Sequence, residues 1–303
     1  MSEPPLVSVI ITTYYRNDAL ERAIEHVINQ TYEPIEIIVV DDSGEAFAEP
    51  VMNSYNSLRY IAHDQNQGSN QARKTGLDAS SGTFVQLHDD DDWLHPEKIE
   101  HQMNCFCGRK KIGVVYCGLK HDGGEIILPD HTLRGDVLQS ALQLYELYPY
   151  QTTTALFRAN LLKDVFPLPQ YGGGDDYALA IKCAQRSEFD FVEKPLVHRT
   201  LSHDSKGSSL DARKAHIEIV HHYSELYAEH PALKRGVLAE AHWRLGHAYL
   251  NKFSWTPRAT LTFLKAAYYA QSPTPKFLLP ILFSLGGRPG RDAGRKIVNL
   301  VWN

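Results

Sequence analysis

The sequence is poor in the features that mark several large protein classes. It has only 4 cysteines, Cys105, Cys107, Cys117 and Cys183, with no CxxC pair among them, so neither a zinc site nor a disulfide framework is indicated. No apolar run approaches the roughly 20 residues a helix needs to span a bilayer. Met1-Ser-Glu-Pro-Pro-Leu6 lacks the basic and apolar stretches of a signal peptide. A cytoplasmic protein is therefore expected, with peripheral attachment to the cytoplasmic face of a membrane left open. The net charge of −5 and pI near 6.3 offer no basic excess for nucleic acid. No G-x-G-x-x-G follows a strand, which excludes a Rossmann dehydrogenase. No serine or cysteine nucleophile motif is present either.

What is present is an ordinary globular composition, 43% hydrophobic and 22% charged over 303 residues, long enough for one large domain with an appendage. Leu6-Val-Ser-Val-Ile-Ile-Thr12 and Ile35-Glu-Ile-Ile-Val-Val40 are near-continuous β-branched runs of the kind buried on both faces. Between them Leu20, Ala23, Ile24, Val27 and Ile28 recur at helical spacing, with Asp18 as the expected N-cap of a helix through Asn29. A third strand is expected near Leu58 to Ala62, then a helix to about Ala79, then a fourth strand from Thr83 to Leu87. Such alternation means βαβ units and a parallel sheet. Ligands bind outside the carboxyl ends of such strands. Thr12 with Tyr14, Asp42, and Asp89 to Asp92 all fall at those ends, so one crevice collects an aromatic ring, acceptors and a nearby arginine, which suits a nucleotide.

The chain is organised around Val85-Gln-Leu-His-Asp-Asp-Asp-Asp-Trp-Leu-His-Pro96. Four adjacent carboxylates repel one another, and Asp forms neither helices nor strands readily. A hard divalent cation would hold such a run together; a solvated acidic turn is the plainer alternative.

The first two-thirds of the chain resembles an inverting, nucleotide-sugar-dependent glycosyltransferase of family 2, with the GT-A fold. The resemblance rests on Val7-Ser-Val-Ile-Ile-Thr-Thr-Tyr14, Ile38-Val-Val-Asp-Asp-Ser43, Asn66-x-Gly68-x-x-x-Ala72-Arg73-x-x-Gly76, Leu87 to Pro96, and Gly174-Asp-Asp-Tyr-Ala-Leu179. It implies an α/β, Rossmann-like mixed sheet over residues 1–208; over 209–303 the strand signals stop and helical periods mark a helical C-terminal region. It also implies roles: Tyr14 stacking on the base beside Thr12, Asp42 accepting the ring N–H of a uracil-type base, and Arg73 near the ribose and phosphates. Asp91 would hold Mn²⁺ or Mg²⁺ against the diphosphate, while Asp89 and Asp90 face the donor and Asp92 starts a helix at Trp93 or turns away. Asp176 would be the general base. Where the family usually has Glu-Asp this chain has Asp175-Asp176, and the shorter Asp175 leaves the hold on the acceptor open. His203, in a small polar loop, is a weaker metal or phosphate candidate. Plainer readings stay open for Tyr14 (strand-end packing), Asp42 (an Asx turn), Arg73 (a solvated helix face) and the Asp175–Asp176 pair (helix capping).

In the second half of the catalytic region, strands are expected at Ile112 to Cys117 and Thr152 to Phe157, with a hairpin at His121-Asp-Gly-Gly124 and a helix from Gly135 to Tyr148. Beyond Leu210 helices are expected at about 210–229, 233–252, 256–271, 274–285 and 291–301, with Ala241 to Ala270 similar to one tetratricopeptide unit. Phe277 to Leu285 is apolar, and Arg288, Arg291, Arg295 and Lys296 follow. Such a segment either packs as an ordinary helix or lies in a membrane interface. The expected activity is transfer of a sugar to a hydroxyl of a glycan or lipid-linked acceptor. Two alternatives differ in class: another Mg²⁺-dependent nucleotide enzyme, or a non-catalytic scaffold with this fold. The first lacks support, because Thr13-Tyr-Tyr-Arg16 stands where a nucleotidyltransferase carries a Gly-rich basic loop.

Overall fold

The computed structural model of the protein describes residues 3–200, 209–272, 274–290 and 292. The chain divides into two compact units. One comprises Met1–Ala141, Tyr145–Gln170 and Asp175–Leu201; the other comprises Leu142–Leu144, Tyr171–Gly174 and Ser202–Asn303.

The first unit is built on a sheet of nine strands. Its elements in chain order are β1 (Val7–Thr13), α1 (Asn17–Ile28), β2 (Ile35–Asp41), α2 (Glu49–Met52), β3 (Arg59–Ala62), α3 (Ser69–Ala79), β4 (Phe84–Asp89), β5 (Asp92–Leu94), α4 (Lys98–Phe106), β6 (Ile112–His121), β7 (Ile126–Ile127), α5 (Leu138–Leu142), β8 (Leu156–Arg158), α6 (Ala159–Val165), α7 (Asp175–Ala184) and β9 (Glu188–Arg199). The strand order is β3-β2-β1-β4-β8-β6-β9-β5, with β7 on β6. β1, β2, β3 and β4 are parallel, as the βαβ pattern requires. Their β-branched runs are buried because helices cover both faces: Val7, Val9, Ile10, Ile11, Ile38, Val39 and Val40 are inaccessible to solvent. α1 contributes Leu20, Ala23, Ile24 and Val27 to this core. On α3, Gly76 lies so close to β1 that a Cβ there would stand 2.3 Å from Ile10 Cγ2; only glycine lets this helix reach the sheet.

Several local expectations are corrected. Asp18 does not cap α1; Arg16 occupies the N-cap position without a side-chain cap bond, and Asp18 sits in the first turn, where its charge favours the helix dipole. Asp92 begins the short strand β5, antiparallel to β9, rather than a helix, and α4 starts only at Lys98. Thr152 to Thr154 form a turn instead of a strand, and β8 is confined to Leu156–Arg158, antiparallel to both β4 and β6. Between Gly135 and Tyr148 only Leu138–Leu142 is helical.

Beneath the sheet lies a buried polar cluster. Lys98, fully buried, donates to Gln86 Oε1 and, at 2.7 Å, to Gln102 Oε1. The two amides pass the order on: Gln86 Nε2 donates to the Thr153 carbonyl at 2.9 Å, and Gln102 Nε2 to the Thr154 carbonyl at 2.8 Å. The turn containing Thr152 to Thr154 is therefore anchored from below by side chains of β4 and α4.

The second unit is helical where described: α8 (Leu210–His222), α9 (Ser224–Ala228), α10 (Pro231–Lys252), α11 (Pro257–Tyr269) and α12 (Pro275–Ser284). The single helix expected over 210–229 is thus two, broken at Tyr223. α10 and α11 form an antiparallel hairpin, with Arg235 donating to the Tyr268 carbonyl and Gly246 set against the Phe263 ring. The helix expected at 291–301 lies outside the described residues.

Candidate active site

The carboxyl ends of β1, β2 and β4 converge as the sequence suggested, and the acidic run sits at the centre. Asp89 ends β4, Asp90 and Asp91 form the turn, and Asp92 opens β5. Each of the four has a different environment. Asp89 receives Arg73 Nη2 at 2.8 Å. Burial is the largest influence on Asp89 and raises its pKa, but Arg73 outweighs it and holds the carboxyl below its ordinary value. Asp90 is buried, accepts from Thr13 Oγ1 at 2.8 Å, and lies 3.1 Å from Arg16 Nη1. Burial nonetheless pushes it up to about 6. Asp91 is 43% exposed and meets the same Arg16 nitrogen at 2.8 Å. Asp92 is buried, bonded by Thr153, and pushed up to about 7 by burial and then by Asp89. Arg16 thus supplies the positive charge that the run of carboxylates demands.

Tyr15 positions that arginine. Its φ of 55° lies in the left-handed region, which costs a non-glycine residue on the order of 1–3 kcal/mol. The turn is held by the Tyr15 hydroxyl donating to the Ser43 carbonyl at 3.1 Å and by the Phe47 ring 5.0 Å away. Tyr14, beside it, is half exposed at the mouth, and Thr12 is partly buried on β1. Asp42 is buried. Its oxygens accept from the Gln67 and Gly68 backbone N–H groups, both at 2.8 Å, and meet His63 Nδ1 at 2.7 Å. A carboxylate has about four acceptor positions, so one remains for a ligand. Gly68, with φ of 85°, makes the turn that lets its N–H reach Asp42 and then caps α3.

Arg73 does not lie on a solvated helix face. It is buried on α3 between Asp89 and the Asp175–Asp176 pair. Burial opposes its charge, but Asp89 and then Asp176 outweigh that and raise its pKa. Its Nε is buried with no hydrogen-bond partner, and so is Asn70 Oδ1. Buried polar atoms are rarely left without partners, so these two point to a polar ligand. The Asn70 amide donates to Asp175 Oδ1 at 3.0 Å, tying the shorter acid to α3.

Asp176, in the first turn of α7, is half-buried. Its Oδ1 accepts from the Thr152 N–H at 2.9 Å and from the Thr152 hydroxyl. The sequence reading missed Thr152 and Thr153, which together hold Asp176 and Asp92. The only signal was a run of three threonines ahead of an apolar strand, which reads equally well as β. It missed His63 too, which bridges Asp42 to Thr75 Oγ1. His203 lies outside the described residues. A further cavity of about 310 Å³ opens beside the acidic turn, lined by Arg22, His26, Asp92, Trp93 and His198 among others.

Among the described residues no group of three His, Cys, Asp or Glu forms a ready-made metal cage. An all-protein cage is not what Mg²⁺ or Mn²⁺ needs beside a diphosphate, where one or two carboxylates suffice and phosphate oxygens complete the shell. Asp91, exposed and offering hard oxygens, fits that donor set.

Sequence likeness to known proteins lies in the first half of the chain, whereas structural likeness runs over nearly all of it. The putative glycosyltransferase EpsH of Bacillus subtilis is 34% identical over 105 residues, 33% of this chain and 30% of its own length. An uncharacterized glycosyltransferase of Rickettsia prowazekii, RP339, is 35% identical over 116 residues, 38% of this chain. The match spans about a third (36%) of that relative's length. Among solved structures, residues 1–349 of TarS from S. aureus superpose with a TM-score of 0.63 at 18% identity, covering 96% of this chain and 91% of that one. A mannosyltransferase of Pyrobaculum calidifontis, solved with GDP-Man and Mn²⁺, superposes with a TM-score of 0.62 at 18% identity, covering 98% and 87%. These likenesses show the GT-A fold. The family model for glycosyl transferase family 2 matches residues 8–166, just over half of the chain, from the second residue of β1 to just past α6, and the protein belongs to that family.

Proposed function

We propose that this chain is a metal-dependent inverting glycosyltransferase that moves a sugar from a nucleotide diphosphate, of uridine type, to a hydroxyl of a glycan or lipid-linked acceptor. The observation that carries the reading is the triad of Asp89, Arg73 and Asp176. A buried guanidinium stands between a carboxylate on the donor side and a carboxylate at the amino end of α7, with its Nε unpartnered. That arrangement suits a substrate with phosphate at one end and a reacting carbon at the other. Solved relatives of this fold hold such donors: TarS has been solved with UDP-GlcNAc, and the Pyrobaculum enzyme with GDP-Man and Mn²⁺.

In this reading Tyr14 offers its ring to the base at the mouth, and Asp42 accepts from the base with its remaining lone pair. Arg73 Nε and Nη hold the ribose-phosphate and donor-sugar end, with Asp89 fixing the guanidinium plane. Thr152 binds one oxygen of Asp176, which leaves the other free to take the proton of an acceptor hydroxyl as that oxygen attacks the anomeric carbon. Attack from the face opposite the diphosphate inverts the configuration. A divalent cation bound at Asp91 would neutralise the charge that builds on the leaving diphosphate.

The test is a thermal-shift screen of nucleoside diphosphates with and without Mn²⁺, because a ligand bound only to the folded state raises stability by mass action. A uridine diphosphate response that needs Mn²⁺ and is lost in Asp91→Asn is expected. Asp176→Asn should keep that response while losing transfer to acceptor. Silence with every nucleotide would overturn the reading in favour of a scaffold that has kept the fold.

A further inference from the structure

From Ala241 to Arg291 the chain has no Asp or Glu, although the whole chain carries 36, and the same stretch holds seven Lys or Arg. It includes most of α10 and all of α11 and α12. Two of its cations, Arg244 and Lys276, are paired with Glu240. Arg258, Lys265 and Arg288 have no ion-pair partner among the described residues. A stretch with this excess of positive charge, on a chain with a net charge of −5, is complementary to an anionic partner.

The same stretch exposes apolar side chains. On α11, Leu261, Leu264 and Tyr268 are exposed, Tyr268 to 75%, and Arg258 and Lys265 flank them at helical spacing. These side chains line a shallow cavity of about 460 Å³. On α12, Leu278 and Leu282 are exposed, Leu282 to 65%, and so is Leu285 at its C-cap. The two helices run side by side in opposite directions. The Thr260 and Ser284 hydroxyls are 2.8 Å apart, and the Trp255 indole donates to the Leu285 carbonyl at 3.1 Å. Trp255 is itself 59% exposed. Large apolar side chains exposed on two adjacent helices mark a candidate interaction surface. Leucines with a tryptophan and a tyrosine, flanked by long cationic side chains whose heads stay in water, are the chemistry of an interfacial helix.

We infer that the outer face of α11 and α12 docks on an anionic phospholipid surface. Leu261, Leu264, Tyr268, Trp255, Leu282 and Leu285 enter the headgroup region, while Arg258, Lys265 and Arg288 meet the phosphates. No described helix is long and apolar enough to cross the bilayer, so the association is with one leaflet and reversible. The inference goes beyond the transfer reaction and does not depend on it.

The experiment is sedimentation of the full chain with vesicles of phosphatidylcholine alone or with phosphatidylglycerol, at low and high salt. Binding is expected to the anionic vesicles only and to weaken with salt. Arg258→Gln with Lys265→Gln should weaken it by about five-fold per cation removed. Tyr268→Ser with Leu282→Ser should abolish it; both side chains are exposed, so the thermal unfolding curve should hold. Nucleotide binding without vesicles should be unchanged in both pairs. Equal binding to neutral vesicles, no binding to either, or binding insensitive to these pairs would overturn the inference. So would light scattering that shows an oligomer dispersed by the apolar pair, since the face would then belong to a second copy.

Discussion

Lys98 allows a quantitative test of how the site is supported. Its ammonium is fully buried against two amide oxygens, with no ion-pair partner among the described residues, and burial lowers its pKa from 10.5 to about 8. The folded state therefore binds this proton less tightly than the unfolded state does. Below pH 8 both states are protonated and the folded protein carries the full penalty, about 3 kcal/mol for a shift of this size. Between pH 8 and 10.5 the unfolded state holds more protons, so stability rises with pH. From pH 7 to 9.5 the gain from this residue alone is about 2 kcal/mol. Other groups titrate in the same window, tyrosines among them, so the measurement must be a difference. Urea unfolding of the wild type and of Lys98→Met, followed by a probe in the first unit, should give curves whose separation changes by about 2 kcal/mol in favour of the wild type as pH rises over that range. Lys98→Met also leaves Gln86 Oε1 and Gln102 Oε1 buried without a donor, at about 1–3 kcal/mol each, which shifts the variant's curve without tilting it. Two parallel curves would falsify the assignment of a strained buried charge at this position.

Three further outcomes follow from the geometry. Thr152→Val keeps the N–H to Asp176 but removes the hydroxyl, a charge-assisted hydrogen bond worth about 1.5–3 kcal/mol. kcat should fall about 10- to 100-fold with donor affinity intact, and Thr152→Ser should recover most of it; a change in KM alone would place Thr152 elsewhere in the reaction. Arg16→Ala frees Asp90 and Asp91 of their cation. Calorimetry with Mn²⁺ and no nucleotide should show tighter binding by a few-fold, in line with about 1 kcal/mol for a half-exposed pair, and weaker binding would mean that Arg16 does not compete for this position. Gly76→Ala presses a methyl into Ile10 and should cost about 1–3 kcal/mol, visible as a Tm lower by several degrees.

The parallel half of the sheet was legible because its strands are uninterrupted β-branched runs and each ends at a polar residue. Periodicity finds such strands without tertiary information, and the rule of carboxyl ends then locates Tyr14, Asp42 and the acidic run. β8 was not legible in the same way. It is a short strand inserted antiparallel between β4 and β6, and what makes it a strand is its neighbours. The three threonines before it are β-formers by propensity, yet here their hydroxyls and carbonyls serve Asp176, Asp92, Gln86 and Gln102. Arg73 shows the opposite case: spacing put it on a helix, but only the fold reveals that this face of the helix is sealed against the sheet. Asp18 fails as a cap for a local reason: the left-handed turn at Tyr15 puts Arg16 at the N-cap, and α1 starts two residues earlier than expected.

The two residues between β4 and β5 carry a geometric consequence. β4 is fourth and β5 eighth in the strand order, so in a flat sheet their ends would stand about four strand spacings apart, roughly 19 Å. The chain from Asp89 to Asp92 makes three Cα steps and reaches about 11 Å at most. The sheet can accommodate both facts only by rolling until its far edge returns to its middle, and the Asp90–Asp91 link is the clasp that holds the roll shut. The length of this link is then dictated by architecture before any chemistry is considered. A residue inserted there would slacken the curvature and shift β9, and a ligand gripping Asp91 pulls on the fastening of the whole sheet.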